Sequence, residues 1–152
     1  MTVKGRFSLD TNILVYAVDR DAGVRHELSR ALVGRAARSD CVLAAQALAE
    51  FFHATTRKGL LAPAAASALV RDWLDVFHVT SADTVALVEA MDAVGEHRLS
   101  FWEAMLWATA RQSGCSAILS EDMQDGRRLG GVEFFNPFTE DASARLEPLL
   151  AP

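Results

Sequence analysis

The sequence contains little cysteine and no long apolar segment. Cys41 and Cys115 lack the spacing of a metal site, and we interpret them as buried thiols in a reducing cytoplasm. No apolar run approaches the roughly 20 residues that a membrane helix needs. Residues 1–10 also lack the apolar stretch of a secretory signal. We therefore expect a cytoplasmic protein that is not inserted in a membrane.

An excess of positive charge is also missing. The 20 acidic residues outnumber the 15 basic residues, and the net charge is −5. Proteins that coat nucleic acids are usually basic, so this charge argues against that function. The charge does not exclude an enzyme that acts on nucleic acid, because a metal site made of carboxylates is itself acidic.

The hydrophobic pattern predicts one α/β domain over residues 1–152. Short apolar strands alternate with helices, which indicates a mainly parallel sheet with helices on both faces. Strands are predicted at residues 7–9, 41–43, 77–80, 116–120 and 132–135. Helices are predicted at residues 11–18, 23–39, 46–58, 63–75, 82–95 and 100–113.

Two acidic residues follow predicted strands. Asp10 comes directly after the strand at residues 7–9, and Asp122 follows the strand at residues 116–120. Open parallel sheets bind their ligands beyond the carboxyl ends of the strands, so both positions indicate a functional site. A purely structural interpretation is also open, because Asp is common in turns and as the first cap of a helix.

Glu50 lies in the middle of a predicted helix. The apolar face of that helix is predicted to consist of Leu48, Phe51, Phe52 and Thr55. Glu50 points away from this face, so it lies either on a solvated surface or in a shallow cleft.

Glu103 is the only charged residue between Phe101 and Ala110. Because Ser100 lies three residues earlier, the structural interpretation of Glu103 is a capping box. The same place suits a metal ligand, because the dipole of the first helical turn keeps a carboxylate ionised. The two interpretations are compatible.

Four acids from four separate elements favour one kind of chemistry if they meet. Carboxylates at close range stay ionised only when a positive charge lies between them. Oxygen ligands select hard cations such as Mg²⁺ or Mn²⁺, which support hydrolysis of phosphodiester bonds. The spacing of the acids does not by itself establish that they meet. The four acids are Asp10, Glu50, Glu103 and Asp122.

Motifs around these acids resemble those of PIN domains, and among them the VapC-type toxins of bacterial toxin–antitoxin pairs. The motifs occur in the family's order over residues 9–138, which is nearly the whole chain. One motif departs from the family, because Glu103 stands where Asp is usual and its carboxylate is displaced by about one methylene. The motifs are LDTNIL (9–14), QALAEF (46–51), FWEA (101–104), LSEDMQDG (119–126) and NPF (136–138).

The resemblance implies a three-layer α/β/α sandwich and an endoribonuclease that depends on Mg²⁺ or Mn²⁺ and acts on tRNA or rRNA. It also implies a homodimer and a small antitoxin whose tail covers the active-site groove. The implied catalytic and metal-binding residues are Asp10, Glu50, Glu103 and Asp122, with Thr11, Asn12 and Ser120 orienting them. Candidates for phosphate contact are Arg57, Lys58, Arg111, Arg127 and Arg128.

Three alternatives remain. A PIN module that binds RNA or protein without cutting is kept open by Glu103. A haloacid-dehalogenase-like phosphatase would need a second Asp where Asn12 stands, and a receiver domain would need an adjacent acid pair near the first strand. The large aromatic residues are interpreted as core residues, and the four histidines as structural or surface residues. These core candidates are Trp73, Phe77, Trp102 and Trp107.

Overall fold

A computed structural model describes residues 5–151 of the chain. The strands are β1 (Phe7–Leu9), β2 (Val42–Ala44), β3 (His78–Thr80), β4 (Ala117–Leu119), β5 (Arg128–Leu129) and β6 (Val132–Phe135). The helices are α1 (Thr11–Tyr16), α2 (Val24–Ala36), α3 (Ala45–Arg57), α4 (Pro63–Val76), α5 (Thr84–His97), α6 (Phe101–Gln112) and α7 (Ala142–Leu146). Short 3₁₀ helices occupy Arg20–Ala22 and Glu147–Leu149.

The sheet is parallel except at one edge. Four strands follow the order β1-β4-β6-β5, and only β5 runs antiparallel to its neighbour. β2 and β3 form a second parallel pair, and a bridge between Phe7 and Cys41 brings that pair to the free side of β1. β1 and β4 are adjacent, so their carboxyl ends lie side by side.

The sheet separates two buried apolar clusters. Leu119 of β4 packs with side chains from α1, α2, α3 and α4, while its neighbour Ile118 packs with side chains from α5 and α6. Adjacent residues of a strand point to opposite faces, so β2, β4 and β6 each supply both clusters. This arrangement confirms the predicted α/β/α sandwich with a mainly parallel sheet.

Most predicted elements are present within a few residues, but one strand, one α-helix and the two 3₁₀ helices were not predicted. The missed strand is β5, which has two residues, and the missed α-helix is α7, which has five. Neither is long enough for its apolar periodicity to stand out. The Gly130-Gly131 dipeptide is a usual signal for the turn that joins β5 to β6. Both cysteines are buried free thiols, as predicted.

Two aromatic residues were wrongly placed in the core. Phe52 is 38% exposed, and the buried face of α3 instead includes Ala47, whose carbonyl receives a long hydrogen bond from the Thr11 hydroxyl of α1. Trp102 is 61% exposed. It precedes the buried Trp107 by five residues, which turns it about 140° around the helix. Trp73 and Phe77 are buried as predicted.

Among residues 5–151 no helix is long and apolar enough to span a membrane.

The turn between β5 and β6 provides a test of the edge strand. Gly130 and Gly131 have φ values of +54° and +80°. A Cβ at Gly130 would lie 2.9 Å from Nε of Arg111 and 3.0 Å from the Trp107 ring, whereas nothing lies within 4 Å of a Cβ at Gly131. Gly131→Ala should therefore cost only the left-handed backbone penalty, about 1–2 kcal/mol. Gly130→Ala should cost about 1–3 kcal/mol more because of overpacking.

Urea unfolding of the two variants measures this difference. Equal free energies of unfolding would contradict the predicted packing of the turn against Trp107.

Candidate active site

Asp10 lies at the carboxyl end of β1 and caps α1. Its Oδ1 accepts a hydrogen bond of 2.7 Å from the backbone N–H of Thr11, and its Oδ2 accepts one of 2.6 Å from the Ser120 hydroxyl. Burial is the main cause that raises its pKa above 3.8. The nearby carboxylates of Asp122 and Glu50 raise the pKa further, and the two hydrogen bonds oppose the rise. Asp10 is therefore both a helix cap and a member of an acidic group.

Asp122 follows β4, the neighbouring strand. The Asn12 amide donates to its Oδ2 over 3.0 Å, and its own backbone N–H donates to the Ser120 hydroxyl over 3.1 Å. Ser120 therefore contacts both Asp10 and the backbone of Asp122. The pairing of β1 with β4 brings these two acids together, as their positions after strands predicted.

Glu50 reaches the same end of the sheet from α3. Its Oε2 accepts a hydrogen bond of 3.0 Å from the Thr11 hydroxyl, and its Oε1 accepts one of 2.8 Å from the Gln46 amide. Ala47 is small and buried, which lets α3 approach α1 closely. Glu50 is partly buried beside the other acids.

Glu103 lies in the first turn of α6. Its carboxylate accepts from the backbone N–H of Ser100 over 3.2 Å, and its own N–H donates to the Ser100 hydroxyl over 3.3 Å. The predicted capping box is confirmed. The structure shows no hydrogen bond between Glu103 and the other three acids among residues 5–151.

Gln46 also contacts the site, although it is not among the residues predicted for it. Its side-chain N–H₂ group donates to Glu50 over 2.8 Å and to the backbone carbonyl of Trp102 over 3.1 Å. One amide therefore joins α3 to the first turn of α6, where Glu103 lies. The spacing of four residues between Gln46 and Glu50 was the available signal, because such pairs meet on a helix surface.

The donor set fits a hard cation in its chemistry. Three carboxylates lie at one end of the sheet, and hydroxyl and amide groups stand between them. In residues 5–151 no three histidine, cysteine or acidic side chains are grouped closely enough to hold an ion as they stand. Oxygen ligands of this kind are those that Mg²⁺ and Mn²⁺ prefer.

Two other acids of the loop after β4 have partners elsewhere. Arg25 lies 2.7 Å from Glu121, which lowers the pKa of that carboxyl. Arg145 lies 3.2 Å from Asp125. Asp122 is therefore the acid of this loop that faces the site.

The predicted phosphate contacts lie in different parts of the molecule. Arg111 donates to the carbonyl of Gly130, just before β6, and it pairs with Glu89 of α5. Because β6 runs parallel to β4, this position is at the end of the sheet opposite the acids. Arg128 pairs with Glu133 at a similar level.

The other three predicted phosphate contacts differ in their surroundings. Arg127 is partly buried and donates to the carbonyl of His97. Arg57 and Lys58 are exposed at the end of α3. The structure does not bring Arg111 or Arg128 to the acidic group.

Solved structures share this fold. VapC20 of Mycobacterium tuberculosis, a toxin that cleaves the sarcin–ricin loop, is 20% identical with a TM-score of 0.62, over 76% of this chain and 91% of that chain. The DNA-bound VapBC of Salmonella typhimurium is 18% identical with a TM-score of 0.63, and the match covers 88% of this chain and 97% of that chain. A toxin–antitoxin complex from Klebsiella pneumoniae is 18% identical with a TM-score of 0.60, and the match covers 82% of this chain and 93% of that chain. No curated protein sequence matches this chain.

The family comparison agrees with the architecture and with the order of the motifs. The PIN domain family model matches residues 8–127, from β1 to the residue before β5. The matched region includes all four acids and both strands whose ends carry Asp10 and Asp122. The chain therefore belongs to the PIN domain family.

Proposed function

We propose that the chain is a metal-dependent endoribonuclease and the toxin of a toxin–antitoxin pair. One observation carries the proposal: Asp10, Glu50 and Asp122 lie at one end of the sheet, and their carboxylates accept hydrogen bonds from the neighbouring side chains of Ser120, Thr11 and Asn12, respectively. An all-oxygen donor set suits Mg²⁺ or Mn²⁺ and the hydrolysis of phosphodiester bonds.

Structural neighbours support the biological part of the proposal. VapC20 is a toxin that cleaves the sarcin–ricin loop, and the Klebsiella pneumoniae structure is a toxin–antitoxin complex. We therefore assign this chain an RNA substrate of the tRNA or rRNA class and a small antitoxin protein as its inhibitor. A homodimer is part of the same proposal.

The cation would be held by the carboxylates of Asp10, Glu50, Glu103 and Asp122. When bound, it supplies an activated water and stabilises the attacking and leaving oxygens of the phosphodiester displacement. Burial and, to a smaller extent, the charges of Asp122 and Glu50 raise the pKa of Asp10, and a nearby positive charge would oppose this rise.

Neutral side chains of the chain itself would aim the carboxylates. The hydroxyl of Ser120 fixes one oxygen of Asp10, that of Thr11 fixes one oxygen of Glu50, and the amide of Asn12 fixes Asp122. A displacement of about 1 Å at a reacting group can cost about 100-fold in rate, so these contacts matter for activity.

A second candidate is a PIN module that binds RNA or protein without cutting. The observation that favours it is the capping box, which engages the Glu103 carboxylate with Ser100. Glu103 also replaces the Asp that is usual in this motif.

Asp10→Asn should abolish cleavage and leave the fold intact. We expect a loss of at least about 100-fold, because changes to groups that only support metal ligands already cost 10–100-fold. The assay follows end-labelled tRNA and rRNA with antitoxin-free protein in Mg²⁺, in Mn²⁺ and in chelator. Asp92→Asn, at an exposed position of α5, is the control and should keep full activity. A folded Asp10→Asn protein that cuts RNA at the wild-type rate would contradict the proposal.

Glu103→Gln separates the charge from the cap. Glutamine also completes a capping box, so the free energy of unfolding should change by less than about 0.5 kcal/mol. Cleavage should fall about 10-fold or more if the charge binds the cation. Ser100→Ala is the reciprocal control, because it removes a cap worth about 1 kcal/mol and keeps the charge. Undiminished cleavage by Glu103→Gln would remove Glu103 from the set of ligands.

The raised pKa of Asp10 predicts a pH-dependent gain in stability for Asp10→Asn without metal. At low pH Asp10 is protonated and uncharged, so its burial does not lower the free energy of unfolding. The free energy of unfolding then falls as the pH rises through the raised pKa. The asparagine side chain does not ionise, so the stability of the variant relative to wild type should increase as the pH rises above about 4.

Thermal unfolding in chelator at each pH measures this difference. A difference that stays constant with pH would show that burial of the Asp10 charge does not limit stability. In a separate measurement without chelator, added Mg²⁺ or Mn²⁺ should raise the melting temperature of wild type but not of Asp10→Asn.

A further inference from the structure

Trp102 is unlike the other tryptophans of the chain. Its exposed fraction is 61%, whereas Trp73 and Trp107 are 8% and 6% exposed. The ring of Phe101 lies beside it, with the ring centroids 4.9 Å apart and the planes at 73°. Phe101 and Trp102 together present adjacent aromatic surface to solvent, and tryptophan is enriched where proteins contact ligands or partners.

The position of Trp102 connects it to the acidic group. The Gln46 amide donates to the backbone carbonyl of Trp102 over 3.1 Å and to the Glu50 carboxylate over 2.8 Å. A single nitrogen therefore contacts both residues. Trp102 is also next in sequence to Glu103. These contacts place the backbone of Trp102 close to Glu50, so the exposed side chain belongs to a residue that borders the candidate active site.

We propose that Trp102 binds an unpaired base of the RNA substrate by stacking, with Phe101 supporting the ring. This inference rests on the proposed function and adds a binding subsite to it. Every base has a π-face, so an exposed indole binds single strands without requiring a particular sequence. A base inside a duplex is already stacked and paired, so the subsite selects loops, bulges and single strands.

The charge of the chain explains why such a subsite is useful. At a net charge of −5, with carboxylates concentrated at the site, electrostatic attraction to phosphate is weak. Stacking contributes affinity that does not depend on positive charge. Base contact at Trp102 would hold the strand while the acids act on the backbone beside it.

Tryptophan fluorescence provides a direct test, because Trp102 is the accessible one of the three. The experiment titrates Asp10→Asn protein, which does not cut, with a single-stranded RNA of mixed sequence and about ten nucleotides, within the size of single-strand sites. The same strand annealed to its complement is the second ligand. We expect quenching by the single strand and much weaker quenching by the duplex. The double variant with Trp102→Phe retains only the buried tryptophans and should show little quenching.

Binding constants for further variants separate stacking from folding. In the Asp10→Asn background, Trp102→Ala should weaken single-strand binding by about 5- to 150-fold, the usual range for loss of an aromatic ring under a base. Trp102→Phe should restore most of the affinity. Val85 is an exposed apolar residue in the first turn of α5, and Val85→Ala should bind single-stranded RNA with the affinity of the parent protein.

Two results would overturn the inference. One is unchanged Trp102 emission on RNA binding, and the other is equal affinity of the Trp102→Ala and parent proteins. After either result, the exposed ring of Trp102 would be assigned to contact with a protein instead of RNA. The test needs no cleavage, so it is separate from the fate of the proposed function. If single-stranded RNA quenches the Trp102 fluorescence of a folded wild-type protein that never cuts RNA, the result would support the subsite and reject the nuclease.

Discussion

Carboxylates at the carboxyl end of the sheet repel one another, and the groups between them determine how the site is built. The Ser120 hydroxyl contacts Asp10 and the backbone of Asp122, so one small side chain spans the ends of β1 and β4. Thr11 performs the same role between α1 and Glu50. Because Ser120 directly follows β4 and Asp10 directly follows β1, the parallel pairing of these strands sets the positions of Asp10 and Asp122.

The first turn of α6 combines roles that are separate in many proteins. Ser100 and Glu103 close the helix end, Trp102 faces solvent, and Gln46 fastens the turn to α3. A change in one of these residues therefore acts on the others. A shift of the helix start would move the Glu103 carboxylate and the Trp102 ring together, and both belong to the proposed site.

The sequence predicted features that depend on local pattern. Apolar runs followed by Asp10 and Asp122 located the strand ends, because burial on both faces leaves few polar residues in such strands. Features set by contacts between distant elements were missed or wrong. Gln46 donates to the backbone carbonyl of Trp102 in another helix, a contact that the spacing within α3 does not reveal, and Trp102 is exposed although its type favours burial. The convergence of Glu50 with the two aspartates likewise needed the packing of α3 on α1.

The edge strand β5 has a consequence for the behaviour of the protein at high concentration. A sheet edge with free N–H and C=O groups can pair with another molecule, and long flat edges promote aggregation. Here the edge strand has two residues, begins with the charged Arg128 and ends in a turn of two glycines. So short and charged an edge offers a neighbouring chain little backbone to extend. The hairpin thus disfavours growth of fibres from this side of the sheet.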